Sequence, residues 1–259
     1  MTITQTIIIA IIEGLTEFLP VSSTGHMILA SAAMNIHEDE FVKTFEIFIQ
    51  LGAILAIALM YITRFLKGIT IYLKLLAAFI PTAVIGLLAY DYIKAYLFNP
   101  IVVSVSLIVG GIILIFIDKK VVNSETDVDE VEDMSYKNAF FIGLFQCLSM
   151  VPGTSRAAAT IIGGVFNGLN KKQATEFSFL LAVPTMIAAS GYDLLKTDLA
   201  FTNEQLTMLG IGSIVAFITA WFAVKVFLQF VSKNGFTAFG YYRIALGILF
   251  LIFMWGAEL

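Results

Sequence analysis

Long apolar stretches separated by short polar gaps dominate the chain. They lie near residues 43–63, 69–89, 100–117, 177–195, 206–231 and 241–257. A helix rises ~1.5 Å per residue, so about 20 residues cross the ~30 Å hydrocarbon core of a bilayer. The pattern therefore predicts six membrane-spanning helices.

Two further apolar segments are each interrupted by helix-breaking residues. The first covers 2–18 and 27–34 with a break at 20–25, and the second covers 138–151 and 157–169 with the break PGTSR at 152–156. Each broken segment precedes three spans, which predicts two repeated halves, 1–120 and 135–259, joined by a polar connector at 118–137. An offset of 132 residues pairs Pro20 with Pro152, Ser23 with Ser155, Thr24 with Arg156, and Phe45 with Phe177.

Lysine and arginine positions indicate whether the broken segments cross the membrane, because short cytoplasmic loops are enriched in both residues. If both segments are re-entrant, the basic residues divide eight to three between the two sides, and if each segment crosses once they divide six to five. The eight are Arg64, Lys67, Lys119, Lys120, Lys137, Lys171, Lys172 and Lys233, and the three are Lys43, Lys94 and Lys196. The stronger bias favours re-entrant segments. Each half then crosses the membrane three times, an odd number, so the second half is inverted relative to the first and both termini lie outside. We expect the two breaks to meet near mid-membrane, where irregular backbone must be buried in protein or face water.

Composition supports a membrane location. The chain is 59% hydrophobic and 13% charged, with a mean hydropathy of +0.93, whereas soluble proteins carry about 25% charged residues. We expect an all-α integral membrane protein with one transmembrane domain over 1–259, surrounded by membrane lipids. The net charge of −4 lies largely in an acidic run at 125–133, expected to be a solvated connector, and argues against nucleic acid as a partner.

The first break belongs to the motif EGLTEFLPVSSTGH at 13–26. Glu13 and Glu17 are four residues apart, so a helix places both carboxylates on one face. Burying two like charges in a membrane costs free energy that a metal ion, an arginine or a function must offset. The motif then supplies a run of hydroxyl and imidazole side chains: Ser22, Ser23, Thr24 and His26.

The second break belongs to the motif PGTSRAAAT at 152–160. Pro152 and Gly153 end one helix, and Ser155 can cap the next. Arg156 then falls in the first turn, where a guanidinium and exposed backbone amides suit a phosphate. Thr160, one turn later, can add a hydroxyl.

Each of these residues also has a structural alternative. The two glutamates could form an ion pair with Arg156 that joins the halves. Any one hydroxyl could satisfy backbone groups at a helix break, and an isolated histidine is usually a packing residue. Arg156 is the hardest to explain structurally, because it lies at a mid-membrane break beside glycine and two hydroxyls.

The two motifs resemble those of the undecaprenyl-diphosphate phosphatase family, the BacA-type bacitracin-resistance proteins. The similarity covers the whole chain and includes FEIFIQLG at 45–52. One departure is Ala157, where the family commonly has serine after the PGxSR arginine, so any contact made by that serine would be missing here.

The resemblance implies six transmembrane helices plus two re-entrant helix pairs. It also implies hydrolysis of a lipid substrate, a C55 polyprenyl diphosphate, to the monophosphate and inorganic phosphate at the outer face of the plasma membrane, which recycles the carrier lipid for peptidoglycan. A divalent cation, Mg²⁺ or Ca²⁺, is a further implied cofactor. Carried over by motif position, the implied functional residues are Glu13, Glu17, Ser23, His26, Ser155, Arg156 and Thr160. The oligomeric state stays open, with a homodimer among the alternatives.

Phosphoryl transfer depends mainly on positioning and charge neutralisation. We hypothesise that Arg156 and the amides near Ser155 hold the terminal phosphate, with Ser22, Thr24 and Thr160 as further substrate-binding candidates. Glu13 and Glu17 are assigned to the cation, and Glu17 is also the better base candidate. Ser23 is the preferred nucleophile with His26 as its acid–base partner, while histidine as nucleophile and directly activated water stay open. The competing hypothesis is a secondary transporter or carrier-lipid translocase, because inverted repeats with broken helices also build transport sites.

Overall fold

A computed structural model describes residues 1–97, 100–120, 131–196 and 200–256. These residues form helices and connecting turns, with no strand among them. The helices are α1 (Ile3–Thr16), α2 (Ser23–Ala33), α3 (Glu40–Met60), α4 (Ile62–Leu66), α5 (Ile69–Tyr96), α6 (Pro100–Lys120), α7 (Tyr136–Gln146), α8 (Arg156–Phe166), α9 (Lys171–Leu195), α10 (Asn203–Asn234) and α11 (Thr237–Gly256). The predicted all-α class is thus confirmed for the described residues, while residues 121–130, which include most of the acidic run, lie outside them.

Five helices in the described ranges are long and apolar enough to cross a membrane: α3, α5, α6, α9 and α10. The chain is therefore a multi-pass membrane protein. The sixth predicted span corresponds to α11, whose apolar stretch Thr237–Ile252 is shorter than the other five. Several helices also extend beyond their predicted spans, as α10 does with 32 residues, because an apolar pattern reveals only the part of a helix that lies in lipid.

The two broken segments fold as pairs of short helices. In the first pair, α1 has 14 residues and α2 has 11, and in the second pair α7 and α8 have 11 each. At ~1.5 Å per residue even α1 is only about 21 Å long, shorter than the ~30 Å hydrocarbon core. None of these four helices is long enough to span a bilayer alone.

Helix packing brings the two halves together around the breaks. The contacts between halves run from α1 to α10, from α3 to α9 and α10, from α5 to α7 and α9, and from α6 to α8 and α11. Phe45 of α3 and Phe177 of α9, paired by the sequence offset, are both fully buried. The interface between halves is therefore the core of the molecule, and the site lies within it.

Candidate active site

Each break contains a serine that caps the following helix. Ser22 accepts a hydrogen bond from the Gly25 amide over 3.5 Å, and Ser155 accepts one from the Ala158 amide over 3.2 Å. Both serines have a φ of 70°, a left-handed conformation that is uncommon for residues with a side chain and is often found at functional sites. Ser22 and Ser155 are therefore equivalent in structure, although the 132-residue offset pairs Ser155 with Ser23, the next residue along the chain.

Arg156 joins the second break to the first. Its guanidinium donates to a Glu17 carboxylate oxygen over 3.0 Å and to the backbone carbonyl of Ser178 over 3.1 Å. It also lies 5.5 Å from the centre of the Phe18 ring. The predicted meeting of the carboxylate-bearing and guanidinium-bearing breaks is therefore present in the structure.

Glu17 connects the arginine to a serine hydroxyl. Its second carboxylate oxygen accepts a hydrogen bond from Ser23 over 2.5 Å. Both residues are buried, with 8% of Glu17 and 6% of Ser23 exposed. A serine hydroxyl within hydrogen-bond reach of a carboxylate is an arrangement that can generate a nucleophile. Arg156, Glu17 and Ser23 thus form one continuous polar chain.

Glu13 lies one turn before Glu17 on α1 and is fully buried. Neither of its carboxylate oxygens has a hydrogen-bond partner among the residues the structure describes. A buried carboxylate without partners is costly, so these oxygens are available to a ligand, a cation or a proton.

Thr160 and Ser178 lie behind the arginine. The Thr160 hydroxyl bonds to the Ser178 hydroxyl over 2.6 Å and to the carbonyl of Arg156 over 2.9 Å. Because the Ser178 carbonyl in turn accepts from the guanidinium, this pair supports Arg156. The structure places Thr160 in a supporting layer of the site.

His26 takes partners other than Ser23. Its Nδ1 is 2.8 Å from the carbonyl oxygen of Ser22, and its Nε2 is 2.6 Å from the hydroxyl of Tyr242 in α11. Thr24 is half-buried on the same turn, and no hydrogen bond of its hydroxyl is present within the described parts of the chain. The hydroxyl of Ser23 therefore has Glu17 as its acceptor, with His26 at the side of the site.

Comparisons with known proteins decide the family. The family model described as "Bacitracin resistance protein BacA" matches residues 6–249. The chain belongs to the BacA family. It is 52% identical over 254 residues to the undecaprenyl-diphosphatase of Wolinella succinogenes, covering 98% of this chain and 99% of that one. It is 48% identical over 254 residues to the undecaprenyl-diphosphatase of Persephonella marina, covering 98% and 100%, and 47% identical over 254 residues to that of Aquifex aeolicus, covering 98% and 99%.

One buried residue of this BacA-family site was missed by the sequence analysis. Arg243 of α11 is fully buried and donates to five backbone carbonyls. These are Pro20 at 3.0 Å, Gly153 at 3.0 Å, Thr154 at 2.9 Å, Ser106 at 3.1 Å and Leu107 at 3.3 Å. Arg243 therefore holds the two breaks together through their backbones. An arginine inside the apolar span 241–257 is itself a signal that could have revealed it.

A third acidic residue of the BacA-family motifs also lies nearby. Glu46, in the segment FEIFIQLG, packs beside Ser31 of α2 and is close enough to Glu13 for their charges to interact. One of its carboxylate oxygens is buried without a hydrogen-bond partner in the described parts of the chain. A glutamate within a predicted span was the available signal.

Proposed function

We propose that the chain hydrolyses undecaprenyl diphosphate to undecaprenyl monophosphate and inorganic phosphate, and so recycles the carrier lipid for cell-envelope synthesis. Relatives named undecaprenyl-diphosphatase, about half identical over nearly the whole chain, support this substrate. The observation that carries the proposal is the buried chain of Arg156, Glu17 and Ser23, which combines an anion-binding group, an acceptor for a proton and a hydroxyl.

Arg156 has two roles in this proposal. In the structure it is paired with Glu17. The terminal phosphate of the substrate competes for the guanidinium, since arginine forms its strongest hydrogen bonds with anions. When Arg156 turns toward the phosphate, Glu17 is released to accept a proton. Substrate binding thus activates the base.

The chemistry then follows in two displacements. Ser23 Oγ attacks the terminal phosphorus, the bond to the bridging oxygen breaks, undecaprenyl monophosphate departs, and the serine proton passes to Glu17. Water then attacks the phosphorus of the phosphoserine and the bond to Ser23 Oγ breaks. The proton on Glu17 returns to Oγ, and the protons of the water leave with inorganic phosphate. Direct attack by water on the terminal phosphorus, with Glu17 as its base, is a single-step alternative to both displacements.

A divalent cation fits the two carboxylates of α1. The partnerless oxygens of buried Glu13, together with Glu17, are the hard oxygen ligands that Mg²⁺ and Ca²⁺ prefer. Within the described residues no group of three or more His, Cys, Asp or Glu side chains could hold a metal, but Mg²⁺ is commonly held by one or two carboxylates plus substrate phosphates. When bound, the cation would supply positive charge to the diphosphate.

The proposed topology is an inverted repeat with two re-entrant helix pairs and a site that opens outside. Two observations support it. The same contact is made in both directions between the halves. The first helix of the first half, α1, packs on α10 of the second half, and the first helix of the second half, α7, packs on α5 of the first. Each contact also needs a glycine, because a side chain on Gly14 would collide with Ala216, and one on Gly143 with Ala78. The lysine and arginine bias supports the orientation.

A purified, detergent-solubilised sample tests the function against transport. We expect release of inorganic phosphate from undecaprenyl diphosphate and formation of an equal amount of the monophosphate. A transporter or translocase requires two compartments and would leave the diphosphate intact in detergent. An unchanged diphosphate with a folded protein would contradict the proposal.

A further inference from the structure

The hydrogen bonds of His26 define which of its ring nitrogens carries a proton. Nδ1 lies 2.8 Å from the carbonyl oxygen of Ser22. A carbonyl oxygen can only accept, so Nδ1 must be the protonated nitrogen. In the neutral ring Nε2 then has the lone pair, and the hydroxyl of Tyr242, 2.6 Å away, donates to it.

The contact with Tyr242 also fixes the orientation of the imidazole. The two rings are stacked, with centroids 5.6 Å apart and planes 6° from parallel. Tyr242 is about half exposed and comes from α11, at the other end of the chain. Its side chain thus restrains the rotation of the ring and keeps Nδ1 against the Ser22 carbonyl, which requires the proton on that nitrogen.

The location of His26 connects this contact with the site. His26 follows Ser23 by three residues in α2, and residues at this spacing share one helix face. The next residue of α11, Arg243, bonds the backbones of both breaks. Two consecutive residues therefore tie α11 to the site. Tyr242 bonds the side chain of His26, and Arg243 bonds backbone carbonyls of the two breaks.

We propose that Tyr242 is a positioning residue of the phosphatase site, which keeps His26 in the orientation of its Nδ1–H tautomer, with Nε2 as its one basic atom, on the helix face that it shares with Ser23. This proposal rests on the hydrolysis proposed above. Tyr242 holds Nε2, the acid–base atom hypothesised for His26, at the side of the reacting groups until substrate and water arrive. Loss of the phenol hydroxyl leaves Nε2 without its donor and frees the ring to rotate away from the Ser22 carbonyl, after which either nitrogen can carry the proton.

The chain offers a direct spectroscopic test because it contains only two histidines. His37 lies in a surface loop next to Glu38, apart from the site. In the His37→Gln protein, labelled with ¹⁵N-histidine and purified in detergent, the ring signals report His26 alone. We expect one protonated nitrogen and one unprotonated nitrogen, and in Tyr242→Phe we expect a mixture of tautomers.

Phosphate release by the same variants supplies the functional arm. Tyr242→Phe keeps the ring and removes only the hydroxyl, and we expect kcat to fall about ten-fold or more with little change in KM. Tyr241→Phe is the matched control, since Tyr241 is the exposed neighbour in α11 and no hydrogen bond of its hydroxyl is present in the described structure. The control should retain both the wild-type tautomer and the wild-type kcat.

The outcomes separate this proposal from the proposed function. An unaltered tautomer in Tyr242→Phe, or an altered tautomer with unchanged kcat, overturns the positioning role. A wild-type protein that releases no phosphate contradicts the hydrolysis itself, independently of the nitrogen signals. A mixed tautomer together with a lower kcat supports the proposal.

Discussion

At the scale of residues, the site is a chain of polar contacts in which Glu17 has the central position. Its two carboxylate oxygens contact Arg156 and Ser23 separately. The sequence indicated these three residues but paired Ser23 with His26. The difference arises because the backbone turns after α1, and residue spacing alone does not give the direction in which side chains point beyond a helix end.

Ser23 and Glu17 are predicted to act as one unit. We expect Ser23→Ala and Glu17→Gln each to lower kcat by roughly 10²- to 10⁴-fold, and the double variant to lose no more than the worse single variant. Thr16→Val is the control, because in the described structure its hydroxyl bonds only within α1, to the carbonyl of Ile12. Losses that multiply in the double variant would show that the two residues act independently.

Glu13 is predicted to serve the cation. Glu13→Gln removes a buried charge that lacks a partner in the described structure, so the melting temperature should not fall. The Mg²⁺ concentration for half-maximal phosphate release should rise at least about ten-fold, because the loss of a group around a metal site typically weakens metal binding by about that factor or more. Titrating the cation in both proteins measures this, and an unchanged requirement for Mg²⁺ would contradict the assignment.

At the scale of elements, the two breaks were predictable and the contribution of α11 was not. Proline, glycine and serine at 20–25 and 152–156 mark the breaks. An apolar span such as 241–257 indicates only that a helix lies in the membrane, and a pattern of that kind does not identify the neighbour that the helix will meet. The structure shows that α11 carries Tyr242 and Arg243 to the breaks.

Arg243 is predicted to determine the stability of this junction. Replacing it by methionine removes the donor from the carbonyls of Pro20, Gly153 and Thr154, whereas Ser106 and Leu107 keep their intrahelical donors in α6. Each lost donor is worth about 1–3 kcal/mol, so we expect at least about 3 kcal/mol of destabilisation. Thermal unfolding in detergent should show a lower melting temperature, with Arg243→Lys intermediate. A methionine variant with the melting temperature of the wild type would contradict this role of Arg243.

At the scale of the whole molecule, the two halves share one plan, and the site exists only where they meet. The order of broken segment and three longer helices could be predicted, as could the matched Phe45 and Phe177. The one-residue difference between the two serine caps could not, because it depends on the local path of each break.

The proposed inverted topology predicts opposite accessibility for equivalent loops. Since Cys147 is the one cysteine, a Cys147→Ser background allows single cysteines to be placed at exposed Glu38 and Lys172. A membrane-impermeant thiol reagent should label the first in intact cells and the second only after permeabilisation. Labelling of both positions from the same side would contradict the inverted arrangement.

Phosphate release by purified Arg156 variants tests the central claim, that the meeting of the two breaks is the active centre. Arg156→Ala should lower release from undecaprenyl diphosphate by at least about 10²-fold, and Arg156→Lys should recover only part of it, because lysine lacks the planar donor pair. Both variants should elute from size exclusion as the wild type does. A folded Arg156→Ala protein that releases phosphate at close to the wild-type rate would place the active centre elsewhere.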